Sequence, residues 1–397
     1  MIAPPQIIAG LDIGTTKICC VIAKHIGTDI EIIGMGQIPS PGVRHGQVLN
    51  IEATATAIRK AVDLAQRMAG RQISQVVVGI ADRSVKSRNC TGMITLNSSE
   101  VTEQDIKRVL ESAKSSISVP DYEFLHVIPR EYHVDGLDEI SNPLGMSCSR
   151  LEVRAHLITA STSSVRNITK ACERAGIHVS SVVLQSLASA DSVLSADEKE
   201  MGVALLDMGG GTTDIAVFKQ GVLWHTAELT VAGSHLTADL AKHLRILPTE
   251  AEQMKLQYGN CRAEKAEKVT CGTRSLNHEK IVAIIQQRIQ EIITAAAHET
   301  RQSKHGGSLV AGLVITGGTA LLPDLDMFIE QLTNVPVRIG LPTGFQGFSD
   351  MVKHPACATA VGLVVRHSSE SAVAPLPEQA KTNGFVKKTF TWIKEFF

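Results

Sequence analysis

The stretch Val203-Ala204-Leu205-Leu206-Asp207-Met208-Gly209-Gly210-Gly211-Thr212-Thr213-Asp214-Ile215-Ala216-Val217 decides how the rest of the chain is read. Val203 to Leu206 is short and apolar, the pattern of a buried strand. Asp207 then projects from the strand end, where a carboxylate can hold magnesium through water. Gly209, Gly210 and Gly211 let the backbone come close to a polyphosphate, with amides able to form an anion-binding nest. Thr212 and Thr213 add hydroxyls, which Asp214 is expected to orient. Taken alone, the same residues also describe a tight hairpin with a glycine-rich turn.

A second copy of the plan removes much of that ambiguity. Ile7-Ile8-Ala9-Gly10-Leu11-Asp12-Ile13-Gly14-Thr15-Thr16-Lys17-Ile18-Cys19-Cys20-Val21-Ile22 repeats strand, Asp, small-residue turn and strand. It adds Lys17 as a point charge for a phosphate. Two such hairpins about 195 residues apart imply a duplicated domain that clamps one nucleotide from both sides. A third piece, Val310-Ala311-Gly312-Leu313-Val314-Ile315-Thr316-Gly317-Gly318-Thr319-Ala320, reads as a strand, a glycine pair and a helix start. Gly317, Gly318 and Thr319 there let a purine or ribose approach the backbone.

Together these pieces resemble the actin-like ATPase superfamily and, within it, the FtsA family of bacterial cell-division proteins. The closer likeness is carried by Leu125-His126-Val127-Ile128-Pro129-Arg130-Glu131-Tyr132, Asn142-Pro143-Leu144-Gly145-Met146, His156-Leu157-Ile158-Thr159, Leu236-Thr237-Ala238-Asp239-Leu240-Ala241 and the tail. The implied fold is α/β: a two-lobed actin-like ATPase of duplicated RNase H-like domains, an α+β subdomain inserted in the first lobe, and a C-terminal amphipathic helix.

Composition agrees with that reading. A chain of 397 residues can form two or more domains with sizeable cores. A net charge of −1 gives no pull toward nucleic acid. The start Met1-Ile2-Ala3-Pro4-Pro5 lacks a charged leader, and no run reaches the roughly 18 apolar residues of a membrane span. The eight cysteines form no CxxC pair, so buried reduced thiols and a cytosolic setting are expected. The fourteen histidines show no zinc spacing.

In chain order, residues 1–82 read as the first lobe with the first hairpin. Asn50 caps a helix whose apolar face runs from Ile51 to Ala69 and stops at Gly70. Residues 83–160 read as the insert, with a capping-box start at Thr102-Glu103-Gln104-Asp105 and strands near Leu125–Ile128, Tyr132–Val134 and Leu151–Leu157. Asp135, Asp138 and Glu139 read as a solvated loop. Residues 161–190 return to the first lobe and hinge, with Ser164 expected to cap a helix ended by Gly176. Residues 191–243 carry the second hairpin. The helix opening at Ala232-Gly233-Ser234-His235 places Gly233 where a helix N-terminus suits an anion or ribose. Residues 244–308 form a smaller subdomain. There the resemblance matches Glu252 and Lys255 to a pair contacting ribose and base, while the residues alone equally describe an exposed charged face. Gly259 to Leu276 is a short polar stretch where FtsA relatives carry a longer insertion, and His278 to about Gln302 is a helix with an isoleucine stripe. Residues 309–366 return to the second lobe and close it with a helix, and 367–384 read as a linker.

The last stretch, 385–397, is an amphipathic helix by its pattern. Val386, Phe390, Ile393 and Phe397 share one line flanked by Phe385, Trp392 and Phe396, while Lys387, Lys388 and Lys394 lie opposite. That composition suits a membrane interface, each lysine adding about 1 kcal/mol on an anionic leaflet.

The resemblance implies ATP and Mg2+ between the lobes, with Asp12 and Asp207 ordering the metal's waters. It implies FtsZ as partner, self-assembly into filaments, contact with later division proteins, and a place on the inner face of the cytoplasmic membrane at the septum. ATP would act as a switch with slow turnover at most, and no general base stands out. Two alternatives share the fold: an FtsA-like scaffold of type IV pilus assembly, and a small-molecule kinase.

Overall fold

β1 (Gln6–Ile13) and β2 (Lys17–Ile26) form the first hairpin, and β3 (Asp29–Pro39) extends the meander. These strands belong to a computed structural model that describes residues 6–27, 29–96, 100–262, 268–271, 274–302 and 309–373. A short hairpin of β4 (Val43–Arg44) and β5 (Gln47–Val48) leads into α1 (Ile51–Ala69). The Asn50 side chain accepts the Ala53 amide, and Gly70 ends the helix in the left-handed region at φ 60°. Ala57, Ile58, Ala61, Val62 and Ala65 pack under the sheet, and β6 (Gln75–Ile80) follows as its parallel neighbour to β1.

The insert is a sheet backed by one helix. β7 (Lys86–Thr95), α2 (Glu103–Ser115), β8 (Tyr122–Val134), β9 (Leu137–Ile140) and β10 (Arg150–Ser161) give the strand order β7-β10-β8-β9. Thr102 and Asp105 form the expected capping box. Two strands expected on either side of Pro129 are one strand, because a register shift between Arg154 and Ala155 of β10 absorbs the proline. The expected acidic loop is partly strand: Asp138 and Glu139 lie in β9, and Asp138 bonds His133.

β10 runs into α3 (Thr162–Ala175), then β11 (His178–Leu184). The cap of α3 is Ser161, not Ser164: the Ser161 hydroxyl accepts the Ser164 amide at 3.2 Å, placing Ser164 one turn inside. The first-lobe sheet is then β11-β6-β1-β2-β3.

α4 (Gln185–Val193) crosses to the second lobe, followed by α5 (Ala196–Met201), β12 (Val203–Met208), β13 (Thr213–Lys219) and β14 (Val222–Leu229). α6 (Gly233–Leu244) and α7 (Pro248–Tyr258) come next. Part of the polar Gly259–Leu276 stretch forms a hairpin, β15 (Lys268–Cys271) with β16 (Arg274–Asn277). α8 (His278–Gln302) buries Ile281, Ile285, Ile289 and Ile292 completely, each worth about 1.5–3 kcal/mol of transfer free energy. β17 (Leu313–Thr316), α9 (Leu325–Thr333) and β18 (Val337–Ile339) complete the sheet β14-β13-β12-β17-β18. This is the first-lobe order repeated. In each lobe the strand carrying the acid pairs antiparallel with its hairpin partner and parallel with the strand on its other side.

The chain then crosses back. Along the β3 edge the Ile32 amide donates to the Gln346 carbonyl and the Gln346 amide to the Ile30 carbonyl. Next, α10 (Ser349–Val352) and a 3-10 turn (Pro355–Cys357) lead to α11 (Ala358–Val373). The sequence reading gave this helix to the second lobe. Its Ala360, Val361 and Val364 instead pack on Ile8, Cys19 and Val21 of the first-lobe sheet. It also runs to Val373, seven residues into the stretch read as linker. The two crossings are fastened together: Thr343 donates its amide to the Ser192 carbonyl at 2.7 Å, and the Ser192 hydroxyl bonds the Ala358 carbonyl at 2.8 Å. At their crossing a Cβ on Gly362 would lie 1.7 Å from the Ala188 carbonyl oxygen, so only glycine permits this approach. The remaining linker and the amphipathic stretch, with Phe385, Val386, Lys387, Lys388, Phe390, Trp392, Ile393, Lys394, Phe396 and Phe397, lie outside the described residues.

Candidate functional site: the cleft between two hairpins

The two hairpin turns meet at the centre of the molecule. Each is closed by the same bond, Gly14 N to Lys17 O and Gly209 N to Thr212 O, both 2.9 Å. A Cβ on Gly211 would sit 2.3 Å from Thr15 Oγ1, and one on Gly210 2.3 Å from Thr16 Cγ2, so the second tip is glycine because the first tip's threonines occupy that space. Among the described residues, the amides of Thr15, Thr16, Gly210 and Gly211 have no protein acceptor. Free N–H groups on facing tips form a cradle for an anion.

Asp12 and Asp207 sit below the tips, both 6 % exposed. α4 reaches both: Gln185 Nε2 donates to Asp12 Oδ1 at 3.2 Å, and the Ser189 hydroxyl bonds Asp207 Oδ2. Thr359 Oγ1 adds a bond to the same oxygen at 3.1 Å. Burial raises the Asp12 carboxyl to about 6, with Lys17 opposing and Asp207 reinforcing. Burial also raises Asp207, against the bonds from Ser189 and Thr359 and the charge of Lys17. The Lys17 ammonium itself bonds the Ala356 carbonyl.

Asp214 does not orient the threonines as expected. Thr213 Oγ1 bonds the Val231 carbonyl at 2.7 Å, and Asp214 Oδ1 is buried with no partner. Across the ladder from Asp214 lies Glu228, with neither carboxyl oxygen partnered. Burial, then Asp214 and Asp82, push Glu228 up to about 10.

The other predicted residues gather on the second-lobe side. Gly233 and Ser234 do not leave their helix-terminal amides open to a ligand: they donate to the Gly209 and Gly210 carbonyls at 3.2 and 2.7 Å. Thr319 Oγ1 donates to Gly209 O at 2.8 Å. Gly317 is followed by a 3-10 turn rather than an α-helix, and a Cβ on Gly318 would meet open space. Lys255 is not on a free charged face. It bonds Glu252 at 2.8 Å, Thr237 Oγ1 at 3.0 Å and Gly233 O at 3.2 Å. Gly233, Glu252, Lys255 and Thr319 therefore line one corner beside the second hairpin.

The residues fit a hydrated magnesium ion. Burial outweighs Lys17 and keeps both carboxyls raised, so a further cation there is favourable. A hard cation keeping most of its waters needs only one or two carboxylates plus phosphate oxygens. Among the described residues no group of three or more His, Cys, Asp or Glu forms a full protein cage.

Repeated sheets around paired phosphate-type hairpins, with an acid under each, define the class: an actin-like ATPase fold. Solved structures agree on the fold. The PilM-PilN type IV pilus biogenesis complex matches at TM-score 0.68 and 17% identity, covering 91% of this chain and 98% of that one. MreB5 of Spiroplasma citri bound to ADP matches at TM-score 0.54 and 13% identity, covering 92% and 97%. The family model "Cell division protein FtsA" matches residues 204–362, and "SHS2 domain inserted in FTSA" matches 83–159. The cell division protein FtsA of Pseudomonas aeruginosa is 37% identical over 370 residues, covering 91% of this chain and 89% of its own. That of Escherichia coli is 33% identical over 413 residues, covering 99% and 98%. The chain belongs to the FtsA family of cell-division proteins.

Gln185, Ser189 and Thr359 bond the two buried carboxylates, and sequence reasoning does not single them out. For Gln185 and Ser189 the signal is a row of polar residues in the otherwise small and apolar helix Gln185–Val193, which also reads as ordinary close packing. Thr359, in the helix Ala358–Val373, carries no such signal.

Proposed function

We propose that this chain binds ATP with magnesium in the cleft and uses the bound state to control its self-assembly, while tethering the FtsZ ring to the inner face of the cytoplasmic membrane at the division septum. The observation that carries the nucleotide part is the pair of facing tips whose amides lack acceptors above two carboxyls that burial holds above their ordinary range. Amides of Thr15, Thr16, Gly210 and Gly211, in turns closed by the bonded amides of Gly14 and Gly209 and flanked by Thr212 and Thr213, would hold the phosphates, with Asp214 behind them and Lys17 beside them. Asp12 and Asp207 would hold the metal's waters, positioned by Gln185, Ser189 and Thr359. A magnesium ion held there would neutralise phosphate charge. Gly233, Glu252, Lys255, Gly317, Gly318 and Thr319 would border the adenosine. Family membership and the amphipathic pattern of residues 385–397 support the membrane and FtsZ parts, with the insert as the contact for later division proteins.

Co-sedimentation with anionic liposomes tests this reading, comparing the full chain with one ending at Asn383, with and without ATP and FtsZ. Tail-dependent pelleting that brings FtsZ down is expected. Tail-dependent pelleting without FtsZ would sink the tether and favour another partner.

A further inference from the structure

Behind the two tips lies a second cavity of about 520 Å³, lined by Arg44, His45, Gln47, Arg83, Thr230 and His235 among others. It holds four basic side chains and no carboxylate. Arg44 and Arg83 come from different segments, are exposed, and have no ion-pair partner among the described residues. The rings of His45 and His235 face each other at 5.5 Å between centroids. Burial, His45 and Arg288 hold His235 below the usual histidine range, with Asp239 opposing. Two unpaired arginines at one hollow favour an anion, and their forks suit phosphate oxygens, with the His235 ring beside them as a neutral hydrogen-bonding group. The cavity exceeds one water's share of about 30 Å³ many times over, so a hydrated phosphate fits.

Its position sets its use. Gly46 N donates to Thr15 Oγ1 at 3.0 Å, and His45 Nδ1 lies 3.4 Å from Gly211 O, so the cavity wall is joined to both hairpin tips. We propose that this cavity is a phosphate-dianion site, separate from the tip amides and filled by inorganic phosphate next to the bound nucleotide. That placement rests on the nucleotide reading above; the site itself does not.

Calorimetric titration of inorganic phosphate into the ADP-loaded full chain tests it. Saturable binding is expected, weakened at least about tenfold in the double variant R44Q/R83Q, with ADP affinity changed less than twofold. H235N should weaken phosphate in the same direction, and serves if the double variant fails to fold. Wild-type protein that takes up no phosphate at tens of millimolar, or equal affinity in the variants, overturns the site. If wild-type protein does not bind ADP, the nucleotide reading fails alone, and the same titration without ADP decides the cavity by the same criteria.

Discussion

Asp12 and Asp207 occupy equivalent strand positions, yet they face different neighbours across their hairpins: Cys19 for Asp12, Asp214 for Asp207. The turns share one backbone bond at one length but carry Thr15 and Thr16 in the first lobe and Gly210 and Gly211 in the second. The first hairpin supplies side chains and the cation Lys17. The second supplies bare backbone and extra acid. Duplicated folds need not have duplicated sites, because two copies facing each other can be complementary where identical ones would collide.

The strongest way to break that complementarity is to make the second tip like the first. G211T puts a Cβ where Thr15 Oγ1 already stands, at 2.3 Å, and should lower ATP affinity at least about 100-fold by calorimetry. Adding T15G should recover part of the loss, and no recovery would mean the tips do not interlock. Removing the first hairpin's cation is the next test. K17A should weaken ATP about 10–30-fold, whereas T212A at the equivalent second-lobe position should cost less than threefold; equal losses would contradict the division of roles.

The acid-rich side of the second hairpin gives a pH test. Glu228 has a folded pKa near 10 against an ordinary value of 4.5, so the folded state binds the extra proton. Its contribution is therefore fully present below about pH 4.5 and is lost progressively as pH rises toward 10. E228Q should match wild type near pH 4 and exceed it by about 2–4 kcal/mol at pH 8 in urea unfolding. A constant difference across that range would show Glu228 is not protonated in the fold. The smallest change is S189A, which removes one hydroxyl bond to Asp207 and should cost about 1 kcal/mol of stability, with ATP binding weakened less than tenfold.

Much of this was legible in the chain. The hairpins, the Asn50 and Thr102 caps, and the α8 stripe are local signals, with motif and period inside one segment. What the sequence hid was long-range. Ser189 and Thr359 meet on Asp207 from positions 170 residues apart. Glu228 opposes Asp214 only through the register of β13 and β14, which alternation alone does not fix. The closing helix was read with its sequence neighbours, yet packs on the sheet at the other end of the chain. Ser161, Ser163 and Ser164 all have capping chemistry, and only backbone geometry selects Ser161 over Ser164.

The contact between Gly362 and Ala188 has a mechanical meaning. Both passages of the polypeptide from one lobe to the other lie at one post, like two hinges mounted on the same jamb. A turn of the lobes about that post lengthens neither passage, and the glycine lets the two helices touch backbone to backbone at the pivot itself. The free ends of such a gate sweep furthest where the post is most distant, so small adjustments at the acids are magnified at the outer subdomains.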